Sequence, residues 1–253
     1  MARNKLIDPA YAHSRALPRP VGVWVAGVVA VVVVIATLVA LTSRGGEQES
    51  ATPPTDPGPT NAQNPAIPAP DPSKVHKPTD PDWLTAAPTG LVWRSVPNVV
   101  LQLPFSPADG PLKVDEAKGT ATGYSHTPQG AVIAADQITR RLVMDSTNYT
   151  NVLAATTGLS ATARANLEKV HANSDALRPQ LGPDTPKHFT AFKVVSYLPN
   201  QATIQYAFPA PFAGSFSSNQ VTVVWADNDW KVAAEPTDSK VINDLNGFTP
   251  VGG

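Results

Sequence analysis

The sequence predicts an α+β domain, helices packed on one face of a curved antiparallel sheet, carried outside a membrane by one N-terminal helix. Three observations predict it. An apolar run without charge extends from Val21 to Ser43, a proline-rich tract follows, and the hydrophobic period changes from helical to strand-like near Phe189.

The run VGVWVAGVVAVVVVIATLVALTS covers roughly 34 Å as a helix rising ~1.5 Å per residue, enough to cross a hydrocarbon core of about 30 Å with some tilt. A cleaved secretory signal has an apolar region of only about 7 to 15 residues, so this one reads as an uncleaved anchor. The chain has no cysteine, which removes a lipoprotein-type anchor. Arg3, Lys5, Arg15 and Arg19 precede the run against one acid, Asp8, while Arg44 is followed by Glu47 and Glu49. Lys and Arg near a membrane segment stay in the cytoplasm. Residues 1–20 are therefore expected to be a cytoplasmic tail, residues 21–43 the transmembrane helix, and everything beyond extracytoplasmic. Trp24 suits the inner interface. Gly22, Ala26 and Ala30 recur every fourth residue, a row of small side chains that lets helices approach closely and admits a homo-oligomer.

Residues 44–81 are rich in proline, lack aromatic residues and have few large aliphatics. Such a tract buries too little to offset the entropy of ordering, and its prolines favour polyproline II at ~3.1 Å per residue. It is read as an extracytoplasmic spacer, the rival being a docking site for a proline-recognition module, for which aromatic or basic anchors beside a repeated PxxP are lacking. Residues 82–253 are long enough for one domain with a sizeable core. With 19 Lys and Arg against 20 Asp and Glu, the chain has no basic field for direct nucleic-acid binding.

Within that domain, LVWRSVPNVVLQLPFS reads as an opening strand or extended arm ending at Pro104. Thr127 is placed to cap a helix with Pro128 at its first position, where a missing N–H costs nothing. Ala131, Ala134, Ala135, Ile138 and Leu142 share one face of it, with Arg140 and Arg141 off that stripe, so an amphipathic helix is expected. A second helical region is broken at Gly158 and restarts from a Ser160 cap, with Ala163, Leu167, Val170 and Leu177 on one face and Pro179 as its stop. From Phe189 alternate residues are apolar up to the turn at Pro199-Asn200, and again through Ala202, Ile204, Tyr206 and Phe208: a hairpin. VTVVW, the turn ADND and WKVA form a second hairpin, with Trp230 and Val232 on its inner face.

The signature running from LQLPFSPADGP through GYSHTPQGAVIAA resembles that of single-pass membrane proteins of actinobacterial integrative and conjugative elements. The helix-helix-meander order closed by VVWADNDWKV is similar to cone-shaped nuclear-transport-factor-like domains, which occur in the scaffold subunits of type IV secretion and conjugation machines. The resemblance implies a part in assembling a DNA-transfer apparatus and supplies no catalytic residues. Gly123, Thr127, Pro128 and Gly130 carry over as motif positions with a structural role. His126, just before the cap, reads either as a ligand or acid/base group or as a hydrogen-bonding surface group.

Other chemistry has little support. Asp227, Asn228 and Asp229 lack the longer oxygen-ligand loop, central Gly and final Glu of an EF-hand and read as a polar turn. His13, His76, His126, His171 and His188 show no HxxxH or HExxH spacing. Ser125 and Ser196 have no GxSxG context, and no phosphate-binding GKS/T occurs. No metal or cofactor is expected. If the sheet encloses a pocket, Asp136, Asp145, Tyr149 and Tyr206 are the candidates for proton transfer there, although Asp136 falls off the apolar stripe and is expected to face solvent. The sequence thus points to a membrane-anchored assembly component whose partners are the bilayer and other membrane or cell-wall-zone subunits. An apolar ligand-binding domain and a pocket enzyme are the rival readings.

Overall fold

The computed structural model describes residues 64–252 apart from positions 146, 156–158, 178–180, 182–186, 211–213, 235–236 and 238. The cytoplasmic tail and transmembrane helix expected at 1–43 lie outside the described residues, as does most of the spacer. Among the described residues no helix is long and apolar enough to cross a membrane.

Among the described residues ten strands and three α-helices follow in order: β1 Val92–Val96, β2 Val99–Phe105, β3 Lys113–Asp115, β4 Thr120–Thr122, α1 Pro128–Met144, α2 Tyr149–Leu153, α3 Ala161–Leu177, β5 Ala191–Leu198, β6 Gln201–Pro209, β7 Phe216–Ala226, β8 Asp229–Val232, β9 Lys240–Ile242 and β10 Thr249–Pro250. The main sheet is antiparallel with order β10-β5-β6-β7-β8, and β9 pairs with the start of β7. β1–β2 and β3–β4 form separate two-stranded ribbons. The expected α+β cone, with helices on one face of a curved sheet, is not what forms. Strands dominate, and the segment read as one extended arm is itself a hairpin, turning at Pro97-Asn98 with Asn98 at φ 62°.

That second layer of strand changes the status of α1. The expected amphipathic helix is buried on every side: each of its residues except Thr139 is shielded from solvent. Ala131, Ile133, Ile138 and Leu142 pack in one core with Ile204, Tyr206, Val221, Val223, Trp230 and Val232 of the sheet. Val143 and Met144 belong to a second cluster with Leu101, Leu103 and Phe105 of β2 and Val170 of α3. Each fully buried Leu or Ile contributes about 1.5–3 kcal/mol.

A helix enclosed in this way must satisfy its polar side chains internally. Gln137 donates to the Pro104 carbonyl at 2.8 Å, and Arg141 reaches the Gly119 carbonyl at 3.0 Å. Arg140 donates to Asp136 at 2.7 Å and to the Lys187 carbonyl at 3.0 Å. Asp136, expected at the surface, is only 3% exposed. The helical wheel assumed one covered face, and the β1–β2 ribbon supplies another.

The local expectations hold better. Thr127 is the N-cap of α1, accepting the Gly130 N–H at 3.0 Å, with Pro128 in the first turn. Ser160 accepts the Ala163 N–H ahead of α3, and Ala163, Leu167 and Val170 are buried. Gly158 and Pro179 lie outside the described residues. Both C-terminal hairpins form, through Pro199-Asn200 and through Asp227-Asn228. Positive φ at Asp227 and Asn228 (53° and 58°) matches the strand twist of a two-residue turn.

Candidate functional site

The loop Gly123–Thr127, which carries most of the motif read from the sequence, is held by carboxylates from two distant segments. Asp229, at the start of β8, accepts the backbone N–H groups of Gly123 (2.8 Å), Tyr124 (3.1 Å) and Trp230 (2.9 Å). Gly123 adopts φ +81°, and a Cβ there would approach the Leu112 side chain to 3.0 Å. Both facts favour glycine.

Asp109, fully buried, holds the other half. Its Oδ1 accepts the hydroxyls of Ser125 (2.8 Å) and Thr127 (3.3 Å), and its Oδ2 accepts the Thr89 N–H (3.2 Å) and the Ser106 hydroxyl (3.4 Å). Burial pushes the Asp109 carboxyl above the ordinary carboxylate value, against hydrogen bonds from Ser125, Thr89 and Thr127. Burial raises Asp229 likewise, outweighing its three backbone donors. The motif's hydroxyls are thus committed to fixing the loop and the helix cap.

What the loop presents outward is aromatic. His126 is exposed and stacks on Trp225, ring centroids 4.0 Å apart and planes at 9°. Trp225 meets the buried Trp230 edge-on at 5.2 Å, and Trp230 donates its indole N–H to the Ser125 carbonyl at 2.8 Å. His126 Nε2 contacts the Pro199 carbonyl, while the Tyr197 hydroxyl donates to the His126 carbonyl at 3.2 Å. Tyr197 packs edge-on against Trp83 at 5.8 Å. Gln129, in the first turn of α1, fixes that last ring by donating to the Trp83 and Ala86 carbonyls at 2.9 and 3.2 Å.

Along this row lies an open groove of about 880 Å³, walled on one side by Trp83, His126, Tyr197 and Pro199. The other wall is Pro72–Pro78, the end of the stretch read as spacer. This strap is tied to the domain: Asn64 exchanges hydrogen bonds with the Ser95 backbone, the Asp71 N–H donates to the Pro107 carbonyl, and Thr89 donates to the Lys74 carbonyl. A short 3-10 turn, Pro72–Lys74, is capped by Asp71. His76 lies 3.7 Å from Asp80, 3.9 Å from Asp82 and 3.4 Å from the Thr89 hydroxyl. A tract without a core of its own is ordered here by one made elsewhere in the chain.

The structure therefore gathers Gly123, His126, Thr127, Pro128 and Gly130 at one end of α1, Gly123, Thr127, Pro128 and Gly130 in structural positions and His126 in a surface hydrogen bond and ring stack. Trp83, Gln129, Asp109 and Asp229 complete the arrangement. Of these, Trp83 reads from the sequence as a possible aromatic anchor, Gln129 lies inside the motif beside Pro128, and Asp229 lies in the turn ADND. The four residues considered for proton transfer are not gathered in one site, although Tyr206 reaches the backbone of α1 beside Asp136. Asp136 pairs with Arg140, Asp145 accepts N–H groups from Thr147 and Asn148, Tyr206 donates to the Val132 carbonyl at 2.5 Å, and Tyr149 stacks on His171. Among the described residues no group of three His, Cys, Asp or Glu is placed to hold a metal ion.

Comparison with known proteins finds no match among curated proteins or solved structures. The family model for a domain of unknown function (DUF8175) matches residues 57–250, which takes in the strap as well as the globular part. By that match over most of its length, the chain belongs to the DUF8175 family.

Proposed function

We propose that the chain is a membrane-anchored recognition module, its outer domain displayed by the apolar segment Val21–Ser43 and acting by protein-protein interaction as an assembly component. The resemblance of its GYSHTPQGA region to conjugative-element proteins suggests the setting, a DNA-transfer or secretion-like apparatus. The observation that carries the reading is the groove itself. On its rim His126 is exposed and Trp83 and Tyr197 are half-buried, and each ring is fixed by a neighbour or by the Asp109–Asp229 framework. Aromatic rings bring large contact area at small entropic cost, which suits them to protein recognition.

A photocrosslinking amino acid at Pro199, on the groove, tests this in intact cells, with Thr203 on the outer face of the sheet as reference. Recognition through the groove gives discrete adducts with membrane or cell-wall-zone proteins from position 199 and few from position 203. Equal labelling from both positions, or none, would remove this reading. Cell fractionation of the full chain tests the anchor, which requires recovery in the membrane fraction.

A further inference from the structure

The groove has a directional chemistry that points to its occupant. One wall is Pro72, Val75 and Pro78, the other Trp83, Tyr197 and Pro199. Val75 has φ −66° and ψ 129°, close to polyproline II. Trp83 uses its backbone carbonyl and its ring edge, but its indole N–H has no partner among the described residues. Rings set beside a free N–H form the arrangement that receives an extended proline segment, whose rings stack and whose carbonyls are free to accept.

Charge narrows the choice. On the groove, His76 is faced by Asp80 and Asp82, and Asp80 also accepts the Lys77 backbone N–H at 2.7 Å, while the exposed Lys77 ammonium itself makes no ion pair among the described residues. The chain's own tract Gly45–Gln63 carries Glu47, Glu49 and Asp56, no Lys, Arg or His, and the proline run PPTDPGP at 53–59. Asp56 sits within that run, so prolines and a single acid arrive together. An exposed ion pair adds little affinity and serves to set register.

The path of the strap decides between copies. Asn64 is fixed to Ser95, near the turn of the β1–β2 hairpin, whereas Asp71 is fixed to Pro107, past the other end of β2. The tract therefore meets the domain at the hairpin turn, away from the groove, and the strap of the same chain already forms one wall. To enter its own groove the tract must reverse at Asn64 and run back beside that strap, while a neighbour's tract meets no such constraint. We infer that the groove receives the acidic proline run Pro53–Pro59 of a second copy of this chain, linking copies head to stalk. This rests on the recognition reading above and names one partner for it.

Because the chain has no cysteine, the test can be made on the full protein in its membrane. One copy carries Asp56→Cys and a differently tagged copy carries Lys77→Cys. The reference acceptor is Val241→Cys, exposed on β9, which pairs near the opposite end of β7 from Trp225. Oxidation should give a mixed disulfide with the Lys77→Cys copy at least about tenfold above the reference, as a local effective concentration requires. Yield should fall when the acceptor also carries Trp83→Ala. It should fall equally when the donor carries Ser at Pro53, Pro54, Pro57 and Pro59, changes that leave the groove intact. Equal yields for the two acceptors overturn the inference, as does a disulfide confined to single chains of the Asp56→Cys, Lys77→Cys double variant. If these yields are equal while Pro199 still crosslinks to other proteins, this occupant falls and the recognition reading stands.

Discussion

The backbone carbonyl of Ser125 lies 2.0 Å from where a Cβ on residue 130 would be, so only glycine fits at Gly130. That carbonyl also accepts the Trp230 indole N–H, so it cannot move aside without giving up a buried hydrogen bond. Gly130→Ala should therefore destabilise the protein by about 2–3 kcal/mol, although alanine is the better helix former by ~1 kcal/mol. Chemical denaturation measures the difference. A stabilised variant would show that the loop yields freely.

Asp229 gathers three backbone donors from two segments, and hydrogen bonds to a carboxylate are stronger than neutral ones. Asp229→Ala leaves them without an acceptor and should cost about 2–4 kcal/mol, with Asp229→Asn in between. Tryptophan emission should shift as well, because Trp225 and Trp230 flank the released loop. An unchanged unfolding midpoint and spectrum would contradict this account.

The pair Asp136–Arg140 is closed off from water, and Asp136 Oδ2 has no partner among the described residues. Removing one member leaves an uncompensated buried charge, so Asp136→Ala should cost about 3–5 kcal/mol. Joint replacement by Asp136→Leu and Arg140→Met should cost markedly less than the single changes added together. A double-mutant cycle reads this directly, and simple additivity would mean the charges do not interact.

Acid should stabilise this protein over a limited range. Burial lifts the native values of Asp109 and Asp229 above the ordinary carboxylate value, so the folded state binds protons more readily than the unfolded chain. Stability then rises as pH falls through those raised values and levels off near the unfolded value of about 3.9. The exposed Asp71 and Asp115, held low chiefly by hydrogen bonds from Ser73 and Lys118, act in the opposite sense. Asp109→Asn should flatten the rise, because its oxygen can still accept from Thr89 and its amide can donate to the Ser125 and Thr127 hydroxyls. A midpoint in urea that falls steadily on acidification from neutral pH is the contrary result.

Features encoded within a few residues were legible in the sequence. Thr127 with Pro128 marks a helix start by its own chemistry, and Asp227-Asn228 marks a tight turn. Asp136 and Asp109 were not legible, because their environments are made by partners elsewhere in the chain. A helical wheel places Asp136 off the apolar stripe, and it cannot register that a hairpin over 30 residues upstream covers that side. Pro104 made that hairpin look like an interrupted arm. The strap was hidden for a related reason: composition shows that Pro72–Pro78 cannot make a core, but not that it can lean on one. Trp83, two residues beyond the expected spacer, was visible as a possible aromatic anchor, and its fixing by Gln129 was not.

The motif loop takes its acceptor from Asp229 and one of its donors from Trp230, more than 100 positions further along. Contacts so distant in sequence form late and slowly. A chain emerging from its N-terminus completes this rim only after the β7–β8 hairpin has formed, so molecules cut before β8 would expose apolar surface without the assembled loop. Completion of the rim is in this way postponed until β8 has been made.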